Sequence, residues 1–183
     1  MFKKALLVTS LVSVSLSAMA DGSSWINDYA GVSLGSATSP NPGVGNNANA
    51  NVGETGSAYR VFAGHEFTQN FGIETQYNHY HGFGGNMADG SAHSFDLLGT
   101  GTYYFDRANT IGLVGKAGFN YATVCSYGLT NGGFGWVYGA GLRYNVSRQF
   151  DIRADYQRDQ LGYTNNYFSN AENTYTIGAA YHF

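Results

Sequence analysis

The sequence predicts an all-β fold, an eight-stranded antiparallel up-and-down transmembrane β-barrel, on three observations. Apolar and polar residues alternate with a period of two in eight segments, most of them near the ~9–11 residues that a tilted strand needs to cross a bilayer. Short and long connections alternate between these segments, and aromatic residues collect at both segment ends. Composition agrees: charged residues are 11% of the chain, against about 25% in soluble domains, while aromatics make up 16% and glycines number 26.

Met1–Ala20 carries Lys3 and Lys4, an apolar run from Ala5 to Leu16 and the ending Ala18-Met19-Ala20. That is the layout of a secretory signal peptide, with an apolar run shorter than the ~20 residues of a spanning helix. Residues 1–20 are expected to be removed and 21–183 to form one outer-membrane β-barrel domain. The formal charge then falls from -3 to -5, because Lys3 and Lys4 leave. Mild acidity without a Lys/Arg cluster argues against a nucleic-acid partner. Cys125 is the single cysteine, so no intramolecular disulfide forms, and it reads as an unpaired loop thiol. A lipid-modified cysteine would stand at the cleavage site, where Asp21 is found.

The first segment is Tyr29–Ser36, with Ala30, Val32 and Leu34 against Gly31, Ser33 and Gly35. A long Asn/Gly/Pro loop, 37–56, leads to Ser57–Phe67, and the turn Thr68-Gln69-Asn70 leads to Phe71–Tyr80. The Gly-rich loop 81–90 precedes Ser91–Phe105, and the short turn 106–109 precedes Thr110–Thr123. Loop 124–133 precedes Phe134–Val146, the turn Ser147-Arg148-Gln149 precedes Phe150–Asp159, and loop 160–173 precedes Thr174–Phe183. Three short turns and four long loops are what an outer-membrane barrel shows, with turns and both chain termini periplasmic and loops outside.

The apolar face is expected to point outward. Phe67, Phe71, Tyr103, Phe105, Tyr144, Phe150, Tyr181 and Phe183 then form a girdle at the turn end, and Tyr77, Phe119, Tyr121, Trp136, Tyr156 and Tyr175 one toward the loops. Aromatic belts belong at membrane–water interfaces. Facing inward, the same tyrosines would need partners for their hydroxyls in a closed cavity.

The lumen then receives Arg60, Lys116, Arg143 and Arg153 with Glu66, Glu74, Asp96, Asp151 and Asp155. An eight-stranded barrel is only wide enough for side chains to fill, and buried ions demand partners. These nine residues are expected to form an internal charge network, close to neutral, that serves as a core. A narrow ion-conducting pore gated by the same network is the alternative.

No catalytic constellation is expected, because His93 and Ser94 are adjacent and point to opposite faces. His79, His81 and His93 surround one loop without a clear fourth ligand, so they read as rim histidines rather than a metal centre. No cofactor is implied. The loops 37–56 and 160–173 are the candidate contact surfaces.

The opening Tyr29-Ala30-Gly31-Val32-Ser33-Leu34-Gly35, the Gly115-Lys116-Ala117-Gly118 strand and the terminal Tyr181-His182-Phe183, on eight alternating strands behind a signal peptide, resemble the OmpA-type outer-membrane β-barrel family. The resemblance implies that Tyr175, Ile177, Ala179, Tyr181 and Phe183 form the signal read by the barrel assembly machinery. It implies a stand-alone barrel of the bacterial outer membrane, among outer-membrane lipid and lipopolysaccharide. Such a barrel contributes to envelope structure or to adhesion, binding an extracellular or host ligand through its loops. Larger members add a periplasmic peptidoglycan-binding domain, so wall tethering is not expected of a chain that ends at the barrel. Barrels of similar size also include lipid A-modifying enzymes, which leaves that activity as a further, lesser alternative.

Overall fold

The computed structural model describes residues 28–39, 54–81, 91–126, 129–160 and 171–183; the expected signal peptide and most loop residues lie outside them. Eight strands follow in order: β1 Asp28–Ser39, β2 Glu54–Glu66, β3 Phe71–His81, β4 Ser91–Tyr104, β5 Ile111–Ser126, β6 Leu129–Asn145, β7 Phe150–Gln160 and β8 Ala171–His182. Each pairs antiparallel with its neighbours, and β1 pairs with β8 from Tyr29↔His182 to Thr38↔Asn173, so the sheet closes on itself. Closure leaves no unpaired edge, the one β arrangement that satisfies its backbone inside lipid.

Three tight turns define one end of the barrel. At the first, Thr68 and Phe71 exchange backbone hydrogen bonds of 3.1 and 3.3 Å, and Thr68 Oγ1 accepts from the Asn70 and Phe71 amides. At the second, the Asp106 carboxylate accepts from the Thr110 and Ile111 amides while Asn109 adopts φ 56°, a left-handed conformation that Asn tolerates. At the third, the Val146 and Ser147 amides donate to the Phe150 carbonyl. Both ends of the described barrel wall meet here, since the Phe183 amide donates to the Asp28 carbonyl at 2.9 Å.

At the loop end every strand but β4 outruns the segment expected from sequence, most of all between β5 and β6, while β4 is one residue shorter than expected. Loop 124–133 was expected there, yet the ladder continues to Ser126↔Leu129 and only residues 127–128 separate the strands. The expected set of four long loops is therefore corrected to three long connections and one two-residue gap. Cys125 sits in β5, in register with Thr130, not in a loop. Gly132 and Gly133 look like turn punctuation in the sequence, but a ladder uses backbone, and a cross-strand side chain can cover a glycine. Here the Tyr121 hydroxyl occupies the space, 2.7 Å from where a Gly132 Cβ would stand.

The exterior is apolar. Val32, Leu34, Val61, Leu97, Leu142 and Ile177 are all more than half exposed, with the expected aromatics above and below them. The interior is ionic and hydrogen-bonded, with Phe62, Leu98, Val114 and Val137 buried in it and Phe62 packed in a small cluster with Tyr29 and Ala180. Two inward glycines show how the narrow bore is used. Gly64 faces the Tyr29 ring and Gly31 the Phe62 ring so closely that a Cβ would collide with either.

Candidate functional site: the ion-paired lumen

Strand pleating delivers every second side chain to the bore, and barrel closure brings side chains from opposite walls into contact. Three tiers result. At the turn end, Arg143 of β6 donates to Glu66 of β2 and to the Tyr104 hydroxyl, and its Nε lies 3.7 Å from Asp151 Oδ2. His182 Nε2 stands 2.6 Å from the same Asp151 oxygen. Arg153 grips Asp151 as a fork, its Nε and Nη2 donating at 2.8 and 3.0 Å. Such bidentate pairs fix orientation as well as charge.

The middle tier centres on Glu74, which is 0% exposed. Its two oxygens accept four hydrogen bonds: from Arg153 Nη1 and the Tyr29 hydroxyl at 2.8 Å each, from Lys116 Nζ at 2.9 Å and from Gln76 Nε2 at 2.6 Å. A carboxylate offers about four lone-pair sites, so Glu74 is saturated. Lys116 also reaches Asp155 at 3.3 Å, and Arg60 Nη1 lies 3.9 Å from that same carboxylate. The Arg153 guanidinium stacks 4.4 Å from the Tyr29 ring centroid and 4.9 Å from that of Phe62. This cation–π contact sets a guanidinium and two aromatic rings side by side across the bore.

The loop-end tier is held by amides and hydroxyls. Asp96 accepts from Asn78 Nδ2 at 2.6 Å, Ser94 Oγ at 2.8 Å and Gln157 Nε2 at 2.9 Å. Asp159 accepts from the Tyr80 hydroxyl at 2.7 Å and from Gln157 Nε2 at 2.9 Å. Glu172, 7% exposed, stands opposite Asp159 in the β7–β8 register. Among the described residues no lysine or arginine nitrogen lies within 4.0 Å of Asp96, Asp159 or Glu172.

The nine residues expected in the bore thus divide by tier. Glu66, Arg143, Asp151 and Arg153 meet at the turn end, Glu74, Lys116, Asp155 and Arg60 in the middle, and Asp96 stands apart from every cation. Sequence reasoning misses Asp159 and Glu172, so the expected near-neutral balance is corrected, among the described residues, to seven carboxylates against four cations. Both residues are in phase with the period of their strands, one step beyond Gln157 and Thr174 respectively. Tyr29 and Tyr80 are missed as well. They belong to neither expected girdle nor to the expected charge network, and both turn inward and donate to Glu74 and Asp159.

The proposed assembly residues Tyr175, Ile177, Tyr181 and Phe183 are exposed on the outer face, with Ala179 half-buried among them. His79, His81 and His93 lie on the outer face at the loop end of β3 and β4, where the His79 and His93 rings approach to 4.6 Å.

A closed eight-stranded barrel with an apolar exterior, an ionic interior and aromatic girdles is the build of an outer-membrane protein. The chain matches the family described as "Outer membrane protein beta-barrel domain" over residues 5–183 and belongs to it. Solved structures with the same fold include Neisserial surface protein A, 17% identical with a TM-score of 0.65, covering 85% of this chain and 97% of that one. The attachment invasion locus protein Ail of Yersinia pestis is 20% identical with a TM-score of 0.53, covering 86% and 99%. The N-terminal β-barrel domain of Pseudomonas aeruginosa OprF is 13% identical with a TM-score of 0.58, covering 86% and 98%. A comparison with curated protein sequences gives no match.

Proposed function

We propose that this outer-membrane barrel is a sealed structural and surface-contact element of the envelope rather than a pore. The observation that carries the reading is Glu74, saturated by four donors from three other strands and its own and stacked beside the Arg153–Tyr29–Phe62 column. Moving an ion through this plane requires breaking buried charge-assisted bonds, each worth ~1.5–3 kcal/mol. Planar-bilayer recording tests this: the purified protein is expected to give no discrete conductance steps, and reproducible steps would overturn the reading.

The same reading places the turn end, with both chain termini, in the periplasm and the loop end outside. It assigns residues 1–20 to a cleaved leader and Tyr175, Ile177, Ala179, Tyr181 and Phe183 to recognition by the barrel assembly machinery. Outer-membrane lipid and lipopolysaccharide surround the exterior. Contacts with an extracellular partner fall to the loops. Ail has been solved with the heparin analogue sucrose octasulfate. Here residues 40–53, 82–90, 127–128 and 161–170 contain no lysine or arginine and are rich in Asn, Gly and aromatics. That composition suits an uncharged partner surface better than a polyanion. Cells displaying the protein are expected to adhere without inhibition by sucrose octasulfate, and deletion within 40–53 or 161–170 is expected to abolish adhesion. Adhesion unchanged by both deletions would sink the assignment.

The non-enzymatic reading is retained. His182 has a carboxylate partner in Asp151, but its ring packs against the Tyr29 ring, 5.3 Å between centroids, in the buried turn-end tier. Unaltered lipid A acylation on expression is the expected outcome.

A further inference from the structure

On the outer face, His79 of β3 and His93 of β4 stand directly opposite each other in the ladder. Their Nδ1 atoms are 3.1 Å apart, and the Tyr77 hydroxyl lies 2.8 Å from the same His93 Nδ1. Tyr59 stacks on His79 from the β2 side, and His81 stacks on it from farther along β3. The two imidazoles are therefore clamped between rings with their Nδ1 edges turned toward each other.

The hydrogen bonding of this group does not close on itself. The Nδ1 of a neutral imidazole offers either one lone pair or one N–H. If the Tyr77 hydroxyl donates to the His93 lone pair, the His79 Nδ1 faces an acceptor already in use. If His93 Nδ1 carries the proton, one N–H is shared between Tyr77 and His79. Either way one of the two contacts is not a full hydrogen bond. A cation that accepts both imidazole lone pairs removes the conflict and frees the Tyr77 hydroxyl oxygen to serve as a third donor beside the two nitrogens.

The spacing fits such an ion. Imidazole nitrogens bind zinc-like ions at about 2.0–2.1 Å, so two of them 3.1 Å apart subtend roughly 100° at the metal. That angle lies between the ~90° of a tetragonal centre and the ~109° of a tetrahedral one. We propose that His79 and His93 chelate a divalent first-row transition-metal ion, of the Cu2+, Ni2+ or Zn2+ class, at the loop-end edge of the membrane face. Among the described residues no three of His, Cys, Asp and Glu gather as a metal-holding group, so water and the Tyr77 hydroxyl complete the coordination. Imidazole ligands without a carboxylate select this class over Ca2+ or Mg2+, which take oxygen. The site lies outside the sealed bore and does not rest on the absence of conduction.

Cu2+ is the probe for a test on the untagged chain folded in detergent micelles. Electron paramagnetic resonance is expected to show one Cu2+ per chain with coupling to two imidazole nitrogens. His79→Phe and His93→Phe are each expected to weaken binding at least ~10-fold, about 1.4 kcal/mol, while His81→Phe and Cys125→Ser leave it unchanged. Both substituted positions face outward, and a gel shift on boiling checks that each variant folds; His79→Gln and His93→Gln replace any that does not. Wild-type binding weaker than ~1 mM, undiminished binding in the His79→Phe/His93→Phe double variant, or binding lost in Cys125→Ser would each overturn the proposal.

Discussion

At the residue scale the barrel depends on where each charge finds its partner. Glu74 is the most heavily committed: Lys116 and Arg153 both rely on it, and among the described residues each retains only one other carboxylate, Asp155 and Asp151 respectively. Glu74→Gln keeps the volume but leaves two buried cations short of charge. Breaking a buried pair this way costs about 3–5 kcal/mol, read as a lower urea midpoint for the barrel in lipid vesicles. Glu74→Gln with Lys116→Met removes charge from both sides and is expected to recover part of that loss. No recovery would show that Lys116 is not the partner that matters.

Asp106 is a turn residue outside the membrane span and behaves differently. The amides of Ile111 and Thr110 donate to its carboxylate and hold its pKa below the ordinary range for Asp. A depressed folded-state pKa adds stability that is fully present above the unfolded value and fades as pH falls through the folded one. Asp106→Ala is therefore expected to be less stable than wild type at neutral pH and to converge with it in acid, below the usual carboxylate range. A difference that stays constant down to that pH would mean the carboxylate charge plays no part.

At the element scale the strands are matched to their neighbours by small residues at close approaches. A Cβ added at Gly118 on β5 would collide with the Leu97 carbonyl oxygen of β4, and backbone cannot step aside. Gly115, three residues earlier on the same strand, faces outward with nothing nearer than the Gly101 carbonyl oxygen at 3.9 Å. Gly118→Ala is expected to cost about 1–3 kcal/mol as overpacking, whereas Gly115→Ala leaves the unfolding midpoint within error. Equal effects at the two positions would contradict the β4–β5 register. Just past the end of β8, deleting Phe183 is expected to lower insertion in cells far more than refolding into detergent. Equal losses in both would make Phe183 a structural residue rather than a recognition signal.

Most of this element scale was legible in the sequence, and the misses have physical causes. The two-residue period locates every strand because one face meets lipid and the other meets charge. It fades where both faces are small and polar, as at Leu129–Gly133, so the outer half of the β5–β6 hairpin reads as a loop. Asp159 and Glu172 carry the right phase but lie next to loop-like sequence. Which charges pair was not legible at all. The partners of Glu74 are 2, 42, 45 and 79 residues away in the chain, and only closure of the barrel brings them together.

At the scale of the whole molecule, an apolar exterior and an ionic bore account together for a chain with 11% charged residues that still turns seven carboxylates of the described residues inward. The excess acid lies at the loop end, where Asp96 and Asp159 accept from amides and hydroxyls and Glu172 Oε2 is buried without a hydrogen-bond partner. Amide-held carboxylates are less firmly anchored than ion-paired ones. Denaturant is therefore expected to expose the loop-end tier before the Glu74 plane, seen as earlier amide exchange at Asn78 than at Glu74. The reverse order would place the weak point at the turn end.

Trp136 offers the most direct test of which way the wall faces, since it is outward on β6, 62% exposed and in contact with Phe119. With Trp25→Phe, it becomes the only tryptophan of the chain. In vesicles carrying brominated acyl chains its fluorescence is expected to fall strongly, while aqueous iodide leaves it nearly unchanged. Quenching by iodide without quenching by bromolipid would mean that the apolar face does not touch lipid, and the account would be inside out.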